Sequence, residues 1–172
     1  MVGQRTCCLV WTRPSRCRRH SLSVEHPKAI GDRSTLAIML ALKDAGYALL
    51  LPFGENTRYD LAIDDGSGLR RVQCKTGRLR SGAIRFATCS AYGHHRNPAT
   101  ARRSYVDQIE AFAIHCPETG GVYLVPIEDL KVEVQGALRV DAPKNNQKRL
   151  IRFASDYEIG EVQSRRTRTT SA

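Results

Sequence analysis

Two short stretches decide the fold of this chain: Tyr59-Asp60-Leu61-Ala62-Ile63-Asp64 and, soon after, Arg71-Val72-Gln73-Cys74-Lys75. Both are typical of β-strands, and the segment 65–68 between them, Asp-Gly-Ser-Gly, predicts a hairpin turn. Because side chains alternate along a strand, Gln73 and Lys75 share one face and Cys74 takes the other. In such a hairpin Asp60, Gln73 and Lys75 converge on one point. A carboxylate beside an ammonium suits metal-assisted chemistry on a phosphodiester.

The rest of the chain predicts an α/β domain around this hairpin. A helical apolar period covers residues 31–45, and strand patterns cover 47–51 and 83–88. A long polar loop is expected at 89–104, followed by a second hairpin from 109–116 to 121–126 and a helical turn at 127–130. Weaker strand candidates lie at 131–140 and 149–153. We expect a central mixed sheet built from the three-strand meander, the fourth strand and the closing strand pair.

Composition and charge point to one domain with a polyanionic partner. The 172 residues are 41% hydrophobic and carry a net charge of +10, which favours nucleic acid first and an anionic membrane surface second. No window is long and apolar enough for a membrane helix. The six cysteines show no disulfide framework, so a reduced, cytoplasmic location is expected. We expect a domain at 28–156 between a disordered basic arm at 1–27 and a disordered basic tail at 157–172.

The charge is strongly polarised along the sequence. Residues 69–106 contain no acidic side chain. The basic residues in this window are Arg70, Arg71, Lys75, Arg78, Arg80, Arg85, Arg96, Arg102 and Arg103. Such a stretch next to the candidate catalytic strand suits phosphate binding, although a solvated basic face is the alternative. Tyr92 and Tyr105 flank the predicted loop, where they either stack on the nucleic acid or anchor the loop to the core.

Residues 31–130 resemble the PD-(D/E)XK nuclease superfamily, most of all the branch that contains group I intron-encoded homing endonucleases. Four pieces carry the resemblance: the helix at 31–45, the strand around Asp60, the run 71–77 (Arg-Val-Gln-Cys-Lys-Thr-Gly) and the strand 121–126. The resemblance implies an α/β restriction-endonuclease-like core, with a central mixed β-sheet and flanking helices.

The resemblance also implies the role of each site residue. Asp60 would bind a divalent metal, Mg²⁺ with Mn²⁺ as a substitute, and the main-chain carbonyl of Cys74 would complete the metal shell. Gln73 stands where most of the superfamily has a second acidic ligand, and glutamine here resembles the homing branch. Lys75 would polarise the attacking water or neutralise the phosphate in the transition state.

The pattern departs from the superfamily at the first helix. The position that often supplies a further acid there corresponds to Thr35, which carries no charge, and Glu55 in the following loop is the possible replacement. With one sure carboxylate the metal site is expected to be weak without DNA. Two interpretations therefore stay open: an active nuclease, and a catalytically inactive nucleic-acid-binding module with the same fold.

Other motifs give weaker alternatives. The run His94-His95-Arg96-Asn97 suggests an HNH nuclease, but it lacks a following histidine at a suitable spacing. Cys89, His94, His95 and Cys116 fit no common structural zinc site. We expect His94 and His95 to donate to DNA phosphates.

The sequence thus predicts a divalent-metal-dependent DNA endonuclease of homing or restriction type that acts on double-stranded DNA. The expected phosphate contacts are Arg70, Arg71, Arg78, Arg80, Arg96, His94 and His95. Because one chain offers one active site, cleavage of both strands implies a homodimer or homotetramer.

Overall fold

The structure, a computed structural model, describes residues 26–54, 56–91, 102–130, 134–142 and 151–160. Within them a five-stranded mixed sheet carries one α-helix on one face and a three-stranded sheet on the other. The elements are α1 (Pro27–Asp44), β1 (Ala48–Leu50), β2 (Leu61–Asp64), β3 (Leu69–Thr76), β4 (Arg78–Arg80), β5 (Ala83–Ala87), β6 (Cys89–Ala91), β7 (Arg102–Ser104), β8 (Ala111–His115), β9 (Val122–Pro126) and β10 (Gln135–Arg139).

Helix α1 begins four residues before the predicted start, because Pro27 fits the first turn and His26 accepts a hydrogen bond from the Lys28 amide. Its buried residues, Ser34, Ile38 and Leu42, follow a four-residue spacing along one face. Of these, Ile38 and Leu42 form one apolar cluster with the sheet face that carries Leu61, Val72 and Cys74. The helix therefore lies across the hairpin that carries the candidate site.

The central sheet has the strand order β1-β2-β3-β8-β9. The predicted hairpins β2–β3 and β8–β9 are both confirmed, and β3 pairs with β8 in parallel, so the sheet is mixed as expected. Strand β3 is longer than β2: Leu61 pairs with Val72, and β3 continues to Thr76. The last part of β3 therefore extends past the start of its neighbour.

Three details of the predicted topology are wrong. The fourth strand, β5, does not join the central sheet but pairs with β4 and β10, and β4 occupies a segment predicted as a connection. Ser81 and Gly82 both have positive φ, 51° and 70°, which produces a tight turn that folds β5 back on β4. The polar stretch 89–104 is also not entirely loop, because β6 and β7 pair at its two ends.

The three-stranded sheet packs on the second face of the central sheet. Ile84, Phe86 and Leu138 point inward, and they form a second apolar cluster with Phe112 and Ile114 of β8. Gly77 makes this approach possible, because a Cβ there would lie 2.5 Å from Ile84 Cγ2 and 2.8 Å from Ile114 Cγ2.

The other elements lie at the edges. Residues 127–129 and 154–156 form single 3₁₀ turns, and α1 is the one α-helix in the described ranges, where flanking helices in the plural were expected. The amide of Ile159 donates to Val122 O at 2.9 Å, so part of the stretch assigned to the C-terminal tail lies against β9. None of the described helices is both long and apolar enough to cross a membrane.

Candidate active site

The site begins where the β2–β3 ladder ends. Asp60 precedes β2, its amide donates to Val72 O at 3.0 Å, and its register places it opposite Gln73. Its Oδ2 accepts hydrogen bonds from Gln73 Nε2 at 2.5 Å and from the Cys74 amide at 2.8 Å. The structure therefore brings together Asp60, Gln73 and the backbone of β3; the hairpin prediction placed Lys75 at the same point.

Cys74 contributes its backbone rather than its thiol. The side chain is 8% exposed and lies in the cluster under α1. Burial, with the nearby Asp60 charge, raises the pKa of the Cys74 thiol to about 12, so the sulfur stays protonated at neutral pH. The N–H and C=O of a strand residue point to the same side, so the Cys74 carbonyl is directed toward Asp60, beyond the start of β2.

Lys75 lies on the opposite side of β3 from the Cys74 thiol, as predicted. Its Nζ donates to Tyr105 Oη at 3.2 Å and is 4.9 Å from the centre of the Tyr105 ring. Tyr105 is 5% exposed, so of its two expected roles the structure favours the core anchor over a surface that stacks on nucleic acid. Tyr92, the other flanking tyrosine, lies outside the described residues.

A cleft of about 670 Å³ opens between the first half of α1 and the end of β3. Asp60, Cys74 and Lys75 line it together with Thr35 and Asp32 from the helix. Thr35, which the sequence analysis placed near the site, lines the cleft; Asp32, one turn earlier on the same helix, also lines it and was not predicted. The three-residue spacing from Thr35 was the available signal, because such pairs share a helix face. Glu55, the other expected auxiliary acid, lies outside the described residues.

The donor set of this cleft fits a hard divalent cation. The hydrogen bonds of the Asp60 carboxylate within the described residues go to Oδ2, which leaves Oδ1 available. Asp60, Asp32 and the Cys74 carbonyl are oxygen donors of the kind that Mg²⁺ prefers. Among the residues that the structure describes, no three His, Cys, Asp or Glu side chains cluster closely enough to hold a metal by themselves. The arrangement therefore suits a cation that shares its ligands with a substrate phosphate and water.

The Gln73 side chain presents its amide nitrogen, which cannot bind a metal, to Asp60. Its Nε2 donates to Asp60, so a metal contact would have to use Oε1. The structure gives Gln73 a clear role in orienting the Asp60 carboxylate.

Three of the arginines expected to contact phosphate are engaged by carboxylates. Arg70 binds Asp65 at 3.1 Å, Arg71 binds Glu110 at 2.5 Å and Arg78 binds Glu118 at 3.2 Å. The hydrogen bond between Arg71 and Glu110 raises the pKa of the arginine and lowers that of the glutamate. The sequence window has no acid of its own, and folding pairs its arginines with acids from outside it: Asp65 from the adjacent turn, and Glu110 and Glu118 from 39 and 40 residues away. The predicted contacts His94, His95 and Arg96 lie outside the described residues.

The outer face of the three-stranded sheet retains a basic surface. In β5, Ile84 and Phe86 point inward while Arg85 is exposed, and Arg85 lies directly opposite Arg78 of β4. Pairing in register places Arg80 and Arg139 on the same outer face, and none of the three strands contains an acid. We call Arg78, Arg80, Arg85 and Arg139 the arginine face; the sequence analysis predicted the first two as phosphate contacts and named Arg85 only as part of the basic window. Thr76 lines both the cleft and the groove along this face.

Comparison with known proteins bears on the family and the fold. A family model described as PD-(D/E)XK endonuclease matches residues 25–160. A solved structure of a bacterial homing endonuclease, I-Ssp6803I, is similar with a TM-score of 0.63 and 21% sequence identity, over 86% of this chain and 98% of that one. At this identity the structural similarity speaks for the fold alone. No curated protein matches. The resemblance drawn from the sequence and the α/β fold class are thereby confirmed.

Proposed function

The chain belongs to the PD-(D/E)XK endonuclease family, and from this premise we propose that it hydrolyses phosphodiester bonds of double-stranded DNA with a divalent cation. Mg²⁺ is the proposed cation, with Mn²⁺ as a substitute. The observation that carries the proposal is the contact of Asp60 with Gln73 and the β3 backbone in a cleft that Lys75 also lines.

The residues that line the cleft have different proposed roles in binding the cation and the phosphate. Asp60 Oδ1 and the Cys74 carbonyl would hold the cation, with Gln73 fixing the Asp60 carboxylate through the other oxygen. When bound, a divalent cation supplies positive charge to the scissile phosphate and lowers the pKa of water. The Lys75 ammonium would stabilise the negative charge that develops on the phosphate, or polarise the attacking water.

Asp32 is proposed as the auxiliary acid that Thr35 cannot supply. It extends from α1 into the same cleft as Asp60, and a second carboxylate would strengthen a site that has one sure acid. Magnesium is commonly held by one or two carboxylates together with substrate phosphates.

The arginine face is proposed to hold the DNA backbone. Arg85 lies directly opposite Arg78, and Arg78 already pairs with Glu118, so the proposed phosphate contacts of this face are mainly Arg80, Arg85 and Arg139. Because the groove along this face meets the cleft at Thr76, a strand bound there would lead toward Asp60 and Lys75. Arg70, Arg71 and Arg78 are proposed to contribute less, since Asp65, Glu110 and Glu118 already pair with them.

One chain carries one such cleft in its described residues. We therefore propose that cleavage of both strands, in a homing- or restriction-type reaction, uses a symmetric dimer or tetramer.

The test is a cleavage assay on a plasmid library with and without Mg²⁺, using Asp60→Asn and Lys75→Met. Both variants should lose cleavage while they retain DNA binding. The matched controls are Asp64→Asn, at the other end of β2, and Lys43→Met, in the last turn of α1; both should cleave like the parent protein. Full cleavage by Asp60→Asn and Lys75→Met would refute the assignment.

A second candidate function is a DNA-binding module without catalysis. The presence of Gln73 in place of the usual acid favours this second function, because Asp60 is then the single carboxylate in contact with the end of β3. Its signature would be DNA binding that weakens with salt but no nicking at any Mg²⁺ or Mn²⁺ concentration.

A further inference from the structure

Tyr105 makes an unusual set of contacts for a buried tyrosine. Its hydroxyl accepts a hydrogen bond from Lys75 Nζ at 3.2 Å, and the same ammonium lies 4.9 Å from the ring centre. The guanidinium of Arg58 lies over the ring at 4.3 Å. Two cations from the two strand segments that carry the site therefore contact one aromatic side chain.

The ring itself is held from several directions. Phe112 meets it edge to face, with the ring centres 5.5 Å apart and the planes at 88°. The Gln108 amide donates to Tyr105 O at 3.0 Å, and the Arg58 Nε donates to the side chain of Gln108. With 5% exposure, Tyr105 is a fixed acceptor, whereas a lysine side chain has four flexible carbons.

From these contacts we propose that Tyr105 is a positioning residue that fixes the Lys75 ammonium in the cleft. The hydroxyl accepts one of the three ammonium protons, and the ring supplies an electronegative face to the same charge. The two remaining protons stay available to a phosphate oxygen or a water. This inference rests on the nuclease function proposed above, because the cleavage step gives the position of Lys75 its importance.

Arg58 also connects the Tyr105 ring to β6 and β7. Its guanidinium donates to Ser90 Oγ at 2.9 Å and to Ser104 O at 2.8 Å, and Tyr105 directly follows β7. Arg58 is also two residues before Asp60. The β6–β7 pair, Tyr105 and Lys75 are therefore one connected unit beside the carboxylate.

The test compares Tyr105→Phe with Tyr123→Phe. Tyr105→Phe keeps the ring and its contacts with Arg58 and Phe112, and it removes only the hydroxyl that Lys75 uses. Tyr123 is a suitable control because it is equally buried and its hydroxyl contacts Thr119 instead. At saturating DNA and Mg²⁺, the single-turnover cleavage rate of Tyr105→Phe should fall about 10- to 100-fold, the effect of removing one hydrogen bond to a charged group. DNA affinity should stay within about twofold, and Tyr123→Phe should cleave at the parent rate.

A second measurement tests the hydrogen bond between Lys75 and Tyr105 independently of DNA cleavage. The Lys75 ammonium signal in ¹⁵N NMR, identified by its loss in Lys75→Arg, should show slow proton exchange with water in the parent protein. Exchange should become faster in Tyr105→Phe and remain unchanged in Tyr123→Phe.

The outcomes separate this inference from the proposed function. If the parent protein cleaves and Tyr105→Phe cleaves equally fast, the positioning role is wrong. If the parent protein does not cleave with either metal, the nuclease proposal fails and the exchange measurement alone decides on the contact. Equal exchange rates in the parent and Tyr105→Phe would show that the hydroxyl does not hold the ammonium.

Discussion

Replacing Gln73 by glutamate is the sharpest test of the proposed cation site. In the structure Gln73 Nε2 lies 2.5 Å from Asp60 Oδ2 and donates to it. Gln73→Glu keeps the shape of the side chain but turns a donor into a second carboxylate at the same place. The variant also restores the acid that is usual at this position in the superfamily.

Two effects should destabilise the metal-free variant. Removing the hydrogen bond to a charged acceptor costs about 1.5–3 kcal/mol. Two carboxylates about 4 Å apart repel by about 4 kcal/mol at an effective dielectric constant of 20, although movement and solvent reduce this. We expect the free energy of unfolding to fall by about 2–4 kcal/mol at pH 8. The difference should shrink in acid, where the pair can share a proton.

Divalent cations should reverse this destabilisation. Two facing carboxylates form a better site for Mg²⁺ than one carboxylate and an amide. Binding to the native state alone returns about 1.4 kcal/mol at a cation concentration ten times the dissociation constant. Gln73→Glu should therefore be less stable than the parent without metal and gain more stability from added Mg²⁺ or Ca²⁺.

The assay is urea unfolding followed by circular dichroism, without cation and with about 10 mM cation, which is well above the dissociation constant of a weak site. Gln135→Glu is the matched control, because Gln135 is exposed on β10, which belongs to a different sheet from β2. The reasoning is refuted if Gln73→Glu and the parent unfold at the same urea concentration without metal and respond equally to Mg²⁺.

Three further predictions concern DNA binding, packing and pH. In Arg80→Ala/Arg85→Ala, the slope of log affinity for DNA against log salt, measured by fluorescence anisotropy, should fall by about 0.9 for each phosphate that the variant no longer neutralises. Gly77→Ala should lower the free energy of unfolding by about 1–3 kcal/mol, measured in urea, because its Cβ would meet Ile84. Burial lowers the pKa of folded His115 below its ordinary value of 6.5. The unfolded chain therefore takes up the proton first, and stability should decrease as the pH falls below 6.5. In His115→Gln, thermal melts across this range should show a smaller decrease.

The parts of the fold that the sequence predicted are local in the chain. The β2–β3 hairpin followed from two alternating runs and a Gly-containing turn, and the register Leu61 with Val72 then placed Asp60 opposite Gln73. The β8–β9 hairpin was predictable for the same reason. Within a hairpin, alternation and turn length together fix which side chains meet.

The parts that were missed depend on contacts between distant segments. Nothing local distinguishes a fourth strand in the central sheet from one that crosses to a second sheet, as β5 does. Lys75 meets Tyr105 across 30 residues, and Arg71 meets Glu110 across 39. The absence of acids from residues 69–106 therefore overstated the positive charge available for DNA, because acids outside this window pair with its arginines.

The position of Asp60 determines how its substitutions should be interpreted. Strand β3 continues beyond β2, and the Cys74 amide, which would otherwise lack a partner at that edge, donates to Asp60 Oδ2. The carboxylate thus extends the ladder with one oxygen and offers the other to the cleft. Asp60→Ala would remove both functions, so its inactivity could arise from a damaged strand end. Asp60→Asn keeps a carbonyl oxygen for the Cys74 amide and removes the charge. A stable Asp60→Asn protein that binds DNA without cleaving it would therefore assign the inactivity to the missing charge of the cation site.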